Sequence, residues 1–261
     1  MKNDADSVFV QSLLQECGFQ ADLITPLPDN ETPDIKVAMP EGIMLIEVKS
    51  KEDDTNFRNF LKSPIGTQLT YNTPARTPLE KASSQIHNYP DRKDTDFTLI
   101  WFITHKPGGI TVLTASEVVS LLYGIEHIEG YMKEEQKFYE KDCFFFGESI
   151  FFSNKYLDGV VLHDLHPPVS LFKSKVQPFK LCLNNYSHRY NSFKRTGFVE
   201  LFKSQFDVID PPEMEAMNKC FIADCSVDRK DADGVADSLK KKYSLDTVRL
   251  VRYILYSNPI K

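Results

Sequence analysis

A chain of 261 residues with 41% hydrophobic and 26% charged side chains suits a soluble globular protein, built as one large domain or as one domain with an elaboration. Its net charge of −6 excludes nucleic-acid recognition by global charge, so any such binding must use a local basic surface. The five cysteines (Cys17, Cys143, Cys182, Cys220 and Cys225) form no CxxC pair, and no apolar run approaches about 20 residues; the expectation is a cytoplasmic protein with reduced thiols, no structural zinc, no signal peptide and no membrane span.

In chain order, Asp6 to Cys17 predicts a helix, with Val8, Leu13, Leu14 and Cys17 at roughly helical spacing, Asp6 or Ser7 as its cap and Gly18 as its stop. Ala21 to Thr25 reads as a short strand, and Pro26 to Pro33 as a polar loop punctuated by proline. Ile35 to Met39 and Gly42 to Ser50 are strands joined by Pro40-Glu41-Gly42, which has tight-turn chemistry. A short helix at Asn56 to Leu61 interrupts an irregular polar stretch, and Pro78 to Tyr89 is a helix that Pro90 stops. Phe97 to Thr104, dense in aromatic and β-branched residues, is a buried strand, and Ser116 to Tyr123 is helical. Beyond about Gly130 the pattern weakens. Strands are expected at Phe144 to Phe152 and Gly159 to Leu162, and a strand or helix at Val248 to Leu255 after the KKKY run at 240–243. Residues 1–130 therefore form the expected core, and residues 131–261 a C-terminal extension whose fold, and whose membership of the same domain, the sequence leaves open.

The strand from Gly42 to Ser50 poses a chemical problem. Its apolar centre, Ile43 to Ile46, continues without a turn into Glu47-Val48-Lys49. Alternate residues of a strand share a face, so Glu47 and Lys49 point together while Met44, Ile46 and Val48 pack the other way. Burying two unpaired charges there would cost at least roughly several kcal/mol. They can neutralise one another, reach solvent, or hold a metal ion. The preceding hairpin brings Asp34 near. A two-residue connection sets Asp34 opposite Glu47, whereas a glycine bulge at Gly42 sets it opposite Val48 on the wrong face. Two carboxylates at oxygen-ligand distance suit Mg²⁺ or Mn²⁺, and such an ion activates water against a phosphodiester.

Pro33-Asp34, a gap of twelve residues, and Glu47-Val48-Lys49 together resemble the signature of the PD-(D/E)xK nuclease superfamily, the restriction-endonuclease-like fold. The predicted order of helix, three strands, helix and strand resembles its core, a mixed central sheet flanked by helices in an α/β fold. Gln85-Ile86-His87-Asn88-Tyr89 is similar to the QxxxY element that follows ExK in RecB-like members, with Gln85 and Tyr89 on one helix face. The resemblance covers residues 6–105. It implies a metal-dependent nuclease in which Asp34, Glu47 and the Val48 carbonyl ligate Mg²⁺ or Mn²⁺, Glu16 adds an acid, Lys49 assists the attacking water, and Gln85 and Tyr89 position DNA or the reactive centre. It implies a setting in bacterial antiviral defence or mobile-element biology. RNA cleavage, and a catalytically silent fold that docks DNA or protein within a larger complex or as a homo-oligomer, remain as alternatives.

Downstream, the segment 188–195 mixes cations with aromatics, and Arg189, Lys194 and Arg195 are candidates to grip phosphates, extended by Lys173, Lys175, Lys180 and Lys240 to Lys242. His163 and His166 precede two prolines and read as a loop rather than a metal pair.

Overall fold

Helix α1 (Ala5–Glu16) opens the chain in the computed structural model, which describes residues 5–27, 31–50, 75–105, 115–164, 179–224 and 226–251. Ser7, Val10 and Leu14 form its buried stripe, at the i, i+3, i+7 spacing of one helix face. Gly18, at φ 87°, takes the left-handed conformation that lets the chain leave the helix. Strands β1 (Gln20–Leu23), β2 (Ile35–Met39) and β3 (Gly42–Ser50) then run as an antiparallel meander. Met39 pairs with Gly42, so Pro40 and Glu41 alone make the turn, and Gly42 carries its φ of 140°. Of the two registers open to the sequence, the two-residue connection is the one formed. Continuing the Ile35–Ile46 pair by one residue puts Asp34 opposite Glu47.

Helix α2 (Arg76–Asn88) precedes β4 (Phe97–His105), which lies parallel to β3. The helix supplies the crossover that a parallel pair requires. Further along come α3 (Ala115–Tyr123), β5 (Glu126–Met132), β6 (Lys137–Phe144), α4 (Ile150–Ser153), β7 (Gly159–Asp164), β8 (Phe179–Leu183), α5 (Tyr190–Phe193), α6 (Gly197–Gln205) and β9 (Asp207–Ile209). The last elements are α7 (Pro211–Ala216), β10 (Phe221–Ile222), α8 (Ala232–Tyr243) and β11 (Thr247–Leu250).

The chain divides into two compact units, Met1–Leu121 with Ile150–Asp210, and Leu122–Ser149 with Pro211–Lys261. The first is built on a mixed sheet in the order β1-β2-β3-β4-β7-β8-β9. Met44, Ile46, Val48, Leu99, Trp101 and Val161 turn to one face and pack against Val10 and Leu14 of α1, Phe193 of α5 and Phe198 and Phe202 of α6. Leu45, Glu47 and Lys49 turn to the opposite face, where α2 buries Leu79, Ala82, Ser83 and Ile86. The unit is thus mixed α/β, with helices flanking a mixed central sheet. The second unit is a sheet in the order β10-β6-β5-β11, with Val235 and Leu239 of α8 packed on Ile128, Cys143 and Phe221.

Several expectations change. A cut at residue 130 is not how the contacts divide the chain, because β7, β8 and β9 extend the same sheet as the N-terminal strands. The apolar segments Val160–Leu162 and Leu181–Leu183 are buried and find their cover only there. No strand runs from Phe144 to Phe152: β6 ends at Phe144, Phe145 takes φ 60°, and Ile150–Ser153 is helical. β7 continues through His163, which is buried and accepts the Trp101 indole N–H at 3.3 Å, so this residue is part of a strand and not of a loop. Lys240 to Lys242 close α8, where cations favour the helix C-terminus, and β11 ends at Leu250. The helix expected at 56–61, and Lys173, Lys175 and His166, lie outside the described residues. Among the described residues no helix is long and apolar enough to cross a membrane.

Candidate metal centre

Asp34 stands one residue before β2, where the ladder to β3 is ending. Its N–H donates to the Ile46 carbonyl at 3.0 Å and its own carbonyl accepts from Ile24 at 2.9 Å. Its carboxylate turns to β3 and accepts the Val48 N–H through Oδ2 at 2.8 Å. Pro33 has no N–H and disfavours a longer ladder, which frees Asp34 to make this side-chain rung. The Ser7 hydroxyl on α1, itself 3% exposed, also favours the charged form of this carboxylate.

Glu47 is 2% exposed. The Lys49 ammonium donates to its Oε1, and the same ammonium donates to Oε1 of Gln85 on α2 at 2.9 Å. Oε2 of Glu47 is buried and meets no donor. Burial, then the nearby charge of Asp34, pushes the Glu47 carboxyl up to about 8 despite the opposing Lys49 charge. Burial also raises Asp34, opposed by the Val48 N–H, the Ser7 hydroxyl and Lys49. Two acids held together against their own repulsion, with one oxygen left unsatisfied, are destabilised when both are charged.

The available donors fit a hard divalent ion. Asp34 and Glu47 supply carboxylate oxygens. Val48 directs its N–H towards Asp34, and in a strand the carbonyl of a residue points the same way as its N–H, so the Val48 carbonyl opens towards the same side. This all-oxygen set is short of a full shell, as is usual for Mg²⁺, which keeps several waters. Among the described residues there is no cluster of three or more His, Cys, Asp or Glu able to hold a metal ion by side chains alone.

The sequence-predicted site therefore converges at Asp34, Glu47, Val48, Lys49 and Gln85, drawn from the hairpin and α2. The other predicted residues stand elsewhere. Glu16 is exposed at the far end of α1, nine residues beyond Ser7 and so about 13 Å along the axis, and α1 presents Ser7 to the site instead. Tyr89 does not share a helix face with Gln85: α2 ends at Asn88, Tyr89 is extended (φ −62°, ψ 121°), and its hydroxyl donates to Asp91 at 3.3 Å.

The expected phosphate grip is also corrected. Arg189 is an internal clamp. Its guanidinium pairs with the fully buried Asp158 at 3.0 Å and donates to the carbonyls of Asp94 (3.0 Å), Tyr156 (2.7 Å) and Asp96. Lys194 pairs with the buried Asp210 at 2.6 Å. Lys180 faces Asp207 at 3.6 Å, and in the second unit Lys240 and Lys242 pair with Asp237 and Glu215. Arg195 alone of the three named cations is exposed.

Ser7 is the residue the sequence analysis missed, because a serine near a helix start reads as a cap. Its signal was its phase. It lies on the same stripe as Val10 and Leu14, so its hydroxyl faces inward and needs a partner. In comparison with known proteins, the chain matches no family model, no curated protein and no solved structure.

Proposed function

We propose that this protein is a metal-dependent nuclease with a restriction-endonuclease-like core, hydrolysing phosphodiester bonds, with DNA as the first substrate to test. One observation carries the reading: Asp34 lies beside the Glu47–Lys49 ion pair, where Glu47 is buried and its Oε2 has no donor. A bound Mg²⁺ or Mn²⁺ would be held by Asp34, Glu47 and the Val48 carbonyl, and would supply Lewis-acid stabilisation and an acidified water. The chain's own part is geometric. The Val48 N–H fixes the Asp34 carboxylate, and Gln85 holds the Lys49 ammonium beside Glu47, where it can steady negative charge developing on a phosphate. A setting in antiviral defence or mobile-element biology follows from the resemblance to the nuclease superfamily, a cytoplasmic location from the unpaired cysteine pattern, and RNA stays an alternative substrate because phosphodiester chemistry at such a site does not by itself choose the sugar.

A second reading has its own observation. Arg189 and Lys194 are held by buried acids, so two of the three expected phosphate contacts are committed within the fold. That favours a nuclease fold working as a docking module, as a homo-oligomer or beside a partner protein that supplies the nucleic-acid grip. One experiment separates the two. Purified protein is incubated with supercoiled plasmid, single-stranded DNA and RNA, in Mg²⁺, in Mn²⁺ and in EDTA, beside Asp34→Asn and Glu47→Gln. Cleavage that needs metal and is lost in both variants supports the nuclease. Absence of metal-dependent cleavage of all three substrates overturns it in favour of the docking module.

A further inference from the structure

We propose that the exposed rings of His87, Tyr156 and His188, with the guanidinium of Arg92, form a stacking surface for the bases of a single-stranded nucleic acid; the inference rests on the nuclease reading above, whose substrate it narrows. The three rings come from α2, from the loop before β7 and from the loop before α5, and they meet at the surface of the first unit. His87 and Tyr156 have centroids 4.3 Å apart with 30° between their planes, and His188 meets Tyr156 edge-on at 5.4 Å. The Arg92 guanidinium lies 5.5 Å from the centre of the Tyr156 ring, within cation–π range. All three rings are exposed, Tyr156 to 45%. A single exposed aromatic is ordinary on a protein surface, whereas three rings and a guanidinium gathered at one point mark a contact surface. His87 and Tyr156 border a shallow cleft that Ser83, Ile86, Thr98 and Leu157 also line.

The backbone beneath the rings is fixed. The Tyr156 carbonyl accepts from Nη2 of Arg189 at 2.7 Å and from the Thr98 hydroxyl, and the His188 N–H donates to the Lys155 carbonyl at 3.0 Å. The Arg189–Asp158 clamp therefore holds the loop that presents Tyr156, and the segment 188–195, expected to grip phosphates, supplies His188 to the ring cluster. Rings held in place before binding lose little freedom on binding. Every nucleobase has a π-face, so such a surface takes bases of any sequence, provided a duplex does not already cover those faces. Cations suited to phosphate stand beside the rings: Lys93 and Lys155 are exposed, and Nη1 of Arg92 has no acceptor among the described residues. Two acids flank Arg92 in the chain, Asp91, which accepts from Tyr89, and Asp94, which pairs with Arg92 at 3.3 Å.

The test is fluorescence anisotropy in EDTA, where no metal-dependent cleavage intervenes, with labelled oligo(dT), oligo(U), an abasic DNA strand and a DNA duplex of equal length as probes. Wild-type protein should bind strands that carry bases more tightly than the abasic strand. Tyr156→Ala and His87→Ala should each weaken that binding by roughly tenfold and leave the abasic strand and the duplex unaffected. Tyr156→Phe keeps the ring and should bind as the wild type does, while Tyr156→Leu keeps bulk without a π-face and should show the loss even if the alanine variant folds poorly. Ring-dependent binding of only oligo(dT) or only oligo(U) supports the proposal and identifies the sugar. Equal binding of base-bearing and abasic strands, no binding of either base-bearing strand, or a folded Tyr156→Leu protein that binds as tightly as the wild type overturns it. The nuclease reading fails separately: a protein that binds through Tyr156 but shows no metal-dependent cleavage keeps the stacking surface and loses the nuclease, and cleavage with binding indifferent to Tyr156 does the reverse.

Discussion

The carboxylate of Asp34 accepts the backbone N–H of Val48 at 2.8 Å, so one acid both closes the end of the β2–β3 hairpin and faces the candidate metal position. The two roles separate by substitution. Asp34→Asn keeps an oxygen that can accept the Val48 N–H, and the fold should persist within about 1 kcal/mol. Asp34→Ala leaves that N–H without its partner and should cost about 1–3 kcal/mol. Both variants should lose metal-dependent cleavage by orders of magnitude. Urea melts beside plasmid cleavage check the pair; equal stability losses in the two variants would show that the hydrogen bond contributes little.

Glu47 predicts an unusual dependence of stability on pH. Its carboxyl is raised from 4.5 to about 8 in the folded state by burial and by Asp34. Between those values the native state holds a proton that the unfolded state has released, so native protein binds more protons and stability falls as pH rises. The contribution is complete below about 4.5 and gone above about 8. Metal-free protein should therefore lose roughly a few kcal/mol across that range from this group, with Mg²⁺ restoring stability at the alkaline end. Glu47→Gln should flatten the profile. Denaturant melts from pH 5 to 9 in EDTA provide the measurement, and an identical slope in wild type and Glu47→Gln would contradict the assignment.

Gln85 should serve the reaction more than the fold. It is half-buried, and its Oε1 holds the Lys49 ammonium at 2.9 Å. Gln85→Ala removes that restraint at a position where alanine favours the helix, so melting should shift by no more than about 1 kcal/mol equivalent. Cleavage should fall about tenfold, with kcat affected more than KM, because a loosened Lys49 binds the ground state almost as well. A large loss of stability with normal cleavage would make Gln85 a core hydrogen-bonding residue instead.

Arg189 and Arg195 should part company despite their closeness in sequence. Arg189→Ala strands the buried Asp158 and should destabilise the protein by about 3–5 kcal/mol. Arg195 is exposed, and Arg195→Ala should leave the melting temperature unchanged. If Arg195 touches a phosphate, its removal lowers the salt slope of nucleic-acid binding by about one ion. Thermal melts and binding measured at several salt concentrations distinguish the two residues.

The sequence by itself determined the hairpin, the buried strand Phe97–His105, the two helices on either side of it in the chain, and the facing of Glu47 with Lys49. All of these are local: period-two alternation, turn residues and apolar runs need no knowledge of distant contacts. The strands from Glu126 onward were harder to read because their exposed faces are highly charged, as in the alternating burial of Lys137–Phe144. Tertiary structure decided the rest. The hairpin register, Asp34 against Glu47, depended on how the turn closes at Gly42. The fate of Arg189 depended on Asp158, 31 residues away in the chain. An exposed cation and a buried clamp are spelled with the same letter, and only long-range packing decides whether an acid waits inside the fold to meet it.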